Sequence, residues 1–158
     1  MDAHADATTW VSVSAGALER NFRAVSAHAG VPVCAVVKAN AYGHGLTQAA
    51  AVLEQAGARW LAVTRVEEAV ALRRAGAQAH ILILTPPPSA ALTTAAIAGD
   101  CAITLSDESD LARFAEAARI AGRPARIHIK VDTGMGRLGV HAGQAAGVAQ
   151  AVVANPDT

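Results

Sequence analysis

Val31-Pro-Val-Cys-Ala-Val-Val-Lys38 is a nearly continuous apolar run that ends on a lysine, and Ala39-Asn-Ala-Tyr-Gly-His-Gly45 follows it. Uninterrupted apolar runs of this length read as strands buried on both faces, as in parallel sheets. The lysine is the anomaly, because a charge is costly to bury. Side chains alternate along a strand, so Cys34, Val36 and Lys38 share one face. The C-terminal ends of strands are where α/β folds build their sites. A lysine partly withdrawn from water there becomes a usable nucleophile, the requirement for a Schiff base; the bland alternative is a lysine snorkelling from a strand end. The loop after it carries Tyr42, the only tyrosine in the chain. Its glycines let backbone approach a ligand, and the helix it opens favours anions at its N-terminus.

The same strand-then-helix unit repeats outward from this run. Trp10–Ser14 alternates apolar and polar as a short strand, and Ser14 caps a helix with Leu18, Phe22 and Val25 on one stripe. Further helices are expected at 46–55, 67–75, 89–98 and 107–121, the last capped by Ser106, and an Ala-rich one at 143–154. Strands are expected at 60–64, 80–84, 101–105 and 125–131, while Thr85-Pro-Pro-Pro88 is a stiff loop. Buried strands alternating with helices make a βαβ series. An open doubly wound sheet fits it, and so does part of a (β/α)₈ barrel, whose full form needs about 250 residues.

Composition narrows the classes. The chain has 158 residues with 13 Lys plus Arg against 13 Asp plus Glu. That neutral balance argues against a broad nucleic-acid footprint. Apolar residues make up 53% and charged residues 16%, so a packed core is expected rather than disorder. No apolar run approaches the roughly 20 residues that span a bilayer, and no membrane partner is expected. Residues 1–9 are polar and acidic, without the basic and apolar regions of a signal peptide, and are expected to be a disordered tail on a cytoplasmic protein. Cys34 and Cys101 sit in apolar stretches and read as two buried, reduced thiols.

A second informative stretch is His128-Ile-Lys-Val-Asp-Thr-Gly-Met-Gly-Arg-Leu-Gly139. It places His128, Lys130 and Asp132 on one strand face, which in a barrel is the lumen near its mouth. Gly134, Gly136 and Gly139 match the spacing of a dinucleotide fingerprint, but the match is weak, since no second strand closes on an acidic residue at the required distance. The histidines share no metal-ligand spacing, and no metal site is expected. Arg73 and Arg74 read as complements to a helix dipole, as do Asp107, Glu108 and Asp110 in the first turn of the helix expected at 107–121.

Ala35–Gly45 closely resembles the pyridoxal-phosphate attachment motif of bacterial alanine racemases, and His128–Gly139 resembles a second motif of that family. Trp10 and Leu18–Asn21 are similar to its usual start. The resemblance implies a partial (β/α)₈ barrel of about the first five β/α units over residues 10–158. It implies that Lys38 holds pyridoxal 5′-phosphate as an aldimine and then moves a proton at the substrate Cα. Tyr42 is implied to reach the cofactor phosphate, Leu84 to pack near the pyridine ring, and Arg137 to lie beside the phenolic oxygen or the substrate carboxylate. Lys130 matches a lysine that the family N-carboxylates, turning a cation into an anion that orients Arg137. The implied activity is interconversion of L- and D-alanine for peptidoglycan supply, in a homodimeric parent protein. The implied departure is a truncated N-terminal fragment: three barrel strands and a C-terminal β-domain with a second catalytic tyrosine are missing. The chain is therefore expected to be inactive alone, with a non-catalytic pyridoxal-phosphate-binding protein as the alternative reading.

Overall fold

The structure, a computed structural model, describes residues 8–158. Most of the expected N-terminal tail lies outside the described residues. Five strands pair in sequential order: β1 (Cys34–Val36), β2 (Trp60–Val63), β3 (His80–Ile83), β4 (Cys101–Leu105) and β5 (Arg126–Ile129), every pair parallel. Helices α1 (Ala15–Ala29), α3 (Leu46–Gln55), α4 (Val66–Arg74), α5 (Ala90–Ala98) and α6 (Leu111–Ala121) precede or join them, and α7 (Ala145–Ala154) follows. A short turn, α2 (Lys38–Tyr42), lies between β1 and α3.

Register and burial decide between the two architectures. A doubly wound sheet reverses its strand order and carries helices on both faces. Here the order never reverses, and one face alone is covered. Leu61, Val63, Ile81, Ile83, Ile103 and Leu105 are fully buried beneath the helices, packed with Leu72, Ile97 and Phe114. The opposite face carries Val36, Leu82, Arg126 and His128, all half-buried or exposed, and only the small residues Ala62, Ala102 and Thr104 are buried in it. This is the (β/α)₈-barrel arrangement, seen over five units. The expectation that the strands are buried on both faces is corrected accordingly: the face that would line a barrel lumen is open at its edges.

Other expectations are corrected by partners that sequence does not reveal. Trp10–Ser14 forms no strand; its Val11 and Val13 are exposed and border a groove against Leu18 and Gly45. Ser14 does cap α1, its hydroxyl accepting the Ala17 N–H at 3.2 Å. Val25 is exposed, while Leu18 and Phe22 pack on the core. The cap before α6 is Asp107 rather than Ser106, its carboxylate accepting the Ser109 N–H at 2.9 Å within a 3-10 turn (Glu108–Asp110). Cys34 is exposed on the open face; only Cys101 is buried, and burial pushes its thiol up. The Arg73 guanidinium does more than face a helix dipole. It donates to the carbonyls of Ala77, Ala79, Gly99 and Asp100 at 2.8–3.1 Å, binding the loops before β3 and β4 together.

Candidate active site

Lys38 leaves the sheet one residue after the last ladder bond of β1, in which the Val37 N–H donates to the Ala62 carbonyl at 2.8 Å. The chain then turns left-handed. Ala39, Asn40, Ala41 and Tyr42 have φ between 52° and 56°. For L-residues this conformation costs about 1–2 kcal/mol each, so it persists only where surrounding bonds enforce it. Those bonds are present. The Asn40 side-chain oxygen accepts the Leu46 N–H at 2.8 Å and its carbonyl accepts the Gly45 N–H at 3.0 Å. His44 Nδ1 lies 2.8 Å from the Ala41 carbonyl. The turn fixes where the Lys38 side chain departs and feeds the chain directly into α3.

The lysine lines a cavity of about 540 Å³ at the C-terminal ends of the strands. Leu82 and Leu84 from β3 and its following residue form an apolar wall. Thr64, Thr85 and Thr104 add hydroxyls, but two of these serve the strands: Thr85 Oγ1 donates to the Thr64 carbonyl at 2.5 Å and Thr104 Oγ1 to the Ile83 carbonyl at 2.7 Å. His128, Lys130, Arg137 and Leu138 close the cavity from the β5 side. Among the described residues, no carboxylate lines it. The side chains of Lys38, Lys130 and Arg137 form no hydrogen bond or close ion pair among these residues, though the Lys130 charge acts on Asp132; Lys38 Nζ stands 6.0 Å from the centre of the Tyr42 ring. Three such cations around one cavity make it a receptor for an anion.

Arg137 reaches this cavity because its loop folds back. β5 ends at Ile129, and β6 (Val131–Asp132) pairs instead with β7 (Val140–His141). The Asp132 carboxylate accepts the N–H groups of Gly134 and Gly136 at 3.0 and 3.1 Å. Those bonds, from Gly134 first, hold its carboxyl below the usual carboxylate range. The glycines of the fingerprint-like spacing therefore close a turn on Asp132.

Four of the five expected site residues, Lys38, Leu84, Lys130 and Arg137, thus line one cavity. Tyr42 does not line it: it is 60% exposed, with its ring centre 6.0 Å from Lys38 Nζ. Thr64, Leu82, Thr85, Thr104 and Leu138 were not anticipated. The signal for most of them was available, since each of Thr64, Leu82 and Thr104 falls on the lumen-facing parity of its strand.

Sequential parallel strands, one helix-covered face and a strand-end lysine within a cationic cavity define a portion of a (β/α)₈-barrel enzyme. Residues 13–157 match the family described as alanine racemase, N-terminal domain, and the chain belongs to that family. It is 41% identical over 144 residues to the alanine racemase of Symbiobacterium thermophilum, covering 89% of this chain and 37% of that protein. It is 44% identical over 129 residues to that of Mycobacterium avium, covering 81% of this chain and 33% of the relative. Among solved structures, the alanine racemase from Streptomyces lavendulae superposes with a TM-score of 0.81 at 41% identity, over 89% of this chain and 37% of that one. The chain thus spans about a third of the length of the relatives it matches.

Proposed function

We propose that this chain carries the cofactor-attaching part of an alanine racemase. The observation that supports the reading most is the placement of Lys38 in a cavity with Lys130 and Arg137, the side chains of all three forming no close ion pair among the described residues. Pyridoxal 5′-phosphate is an anion and alanine carries a carboxylate, and the donor set fits both groups. Leu82 and Leu84 offer an apolar wall for a flat ring. When bound, the cofactor supplies the electron sink for a carbanion at the substrate Cα. Lys38 holds it and then moves a proton at Cα, which requires the amine within hydrogen-bond reach of that carbon's proton. Arg137 orients an oxygen of cofactor or substrate through a charge-assisted hydrogen bond. Lys130 and Arg137 as two cations repel across the cavity, and N-carboxylation of Lys130 converts that repulsion into attraction. Tyr42, whose ring centre lies 6.0 Å from Lys38 Nζ although it does not line the cavity, would donate to the cofactor phosphate.

This reading makes the parent protein a cytoplasmic homodimer that supplies D-alanine for peptidoglycan. No helix among the described residues is long and apolar enough to cross a membrane. The reading is tested by incubating the chain with pyridoxal 5′-phosphate, reducing with borohydride and mapping the modified peptide. A label on Lys38 is expected; label on other lysines with none on Lys38 overturns it.

A further inference from the structure

We infer that Glu68 is a positioning residue for Lys38, acting through the left-handed turn that follows the lysine. Glu68 lies in the first turn of α4, beyond the cavity lining, yet its carboxylate reaches two loops. Oε2 accepts the N–H groups of Thr64 and Arg65, each at 3.3 Å, and Oε1 accepts the N–H of Asn40 at 3.4 Å. The first two bonds cap α4 locally. The third joins the turn after β1 to the first turn of α4, across 28 residues of sequence.

The Asn40 bond has a specific consequence. Residues 39–42 are held in a conformation that L-residues avoid, and the other bonds enforcing it come from within residues 37–46. Among the described residues, Glu68 is the one side chain from another element that hydrogen-bonds into this turn, at 3.4 Å. A strained turn tied only to itself can rotate as a unit about the end of β1. Anchored to α4, it keeps a fixed orientation towards Thr64, which lines the cavity at the end of the neighbouring strand. Glu68 thus sets the exit direction of the lysine while capping a helix.

The inference rests on the assignment of Lys38 as the cofactor lysine, so the test separates the two. The whole 158-residue chain and the variants Glu68→Ala and Glu68→Gln are compared by three readouts. These are the rate of reductive labelling of Lys38 by pyridoxal 5′-phosphate, the relative reactivity of the Lys38 amine to trace acetic anhydride, and hydrogen exchange at the Asn40 amide. Glu68→Ala is expected to slow Lys38 labelling and speed Asn40 exchange, each by about tenfold, the scale of one hydrogen bond to a carboxylate. Glu68→Gln retains an acceptor and is expected to restore most of both. The double variant Arg65→Asp with Glu68→Ala supplies a new helix cap, so it is expected to recover thermal stability while Lys38 labelling stays slow. Should the double variant label Lys38 at the parental rate, Glu68 is a helix cap alone and the inference fails. Absence of label on Lys38 in the parent chain overturns the cofactor assignment instead, and unchanged acetic anhydride reactivity and Asn40 exchange in Glu68→Ala still overturn the positioning role.

Discussion

A side chain on Gly139 would bring its Cβ within 2.6 Å of the Asp132 backbone nitrogen, and the glycine has φ of +129°. The two residues close the loop that delivers Arg137 to the cavity. Gly139→Ala is expected to cost about 1–3 kcal/mol from backbone strain, with the clash added. Urea unfolding measures it, and an unchanged midpoint would contradict the close packing described.

Asp132 makes the same loop sensitive to acid. Its folded carboxyl titrates below its ordinary value of about 4 because the Gly134 and Gly136 N–H groups bond the ionised form. A depressed folded value contributes stability that is present above the unfolded value and lost as pH falls through the folded one. Asn at this position accepts the same bonds without titrating. The stability difference between the parent and Asp132→Asn is therefore expected to shift against the parent between about pH 5 and pH 2. Parallel curves for the two proteins across that window would sink the assignment.

Arg73 binds four carbonyls with one planar fork. Arg73→Met keeps the stem but strands those acceptors, and a loss of about 2 kcal/mol or more is expected. Arg73→Lys should recover little, because an ammonium cannot reproduce the fork geometry. Equal stability of the lysine variant and the parent would show that charge, not geometry, matters here.

Lys130 is the expected carbamate. Addition of carbon dioxide to its neutral amine forms one N–C bond and releases one proton. With ¹³C-labelled bicarbonate, the parent chain is expected to show a carbamate carbon resonance that is absent from Lys130→Ala. The same resonance in both would place it on another amine.

The 158-residue chain is not expected to interconvert L- and D-alanine by itself. Racemisation needs acid–base groups on both faces of the carbanion, each contributing about 10²- to 10⁴-fold, and the chain's sole tyrosine stands outside the cavity. Turnover by material free of host enzyme, detected by chiral chromatography, would overturn this.

The sequence by itself determined the alternation of the five sheet strands with their helices. Apolar runs such as Ile81–Ile83 and Cys101–Leu105, short, rich in β-branched residues and bounded by glycine or proline, read as strands. Strand parity also placed Lys38 and Lys130 on faces that converge on one cavity. Tertiary structure alone decided which face of the sheet is covered, because an apolar run is compatible with burial on one side or both. It decided the sheet order that excludes a doubly wound fold, since strand pairing is a choice between distant segments. It turned residues 39–42 left-handed against local preference, through bonds from Asn40 and Glu68 that no periodicity encodes. It also left Trp10–Ser14 outside any sheet, because an alternating pattern makes a strand only when a neighbouring backbone supplies the hydrogen bonds.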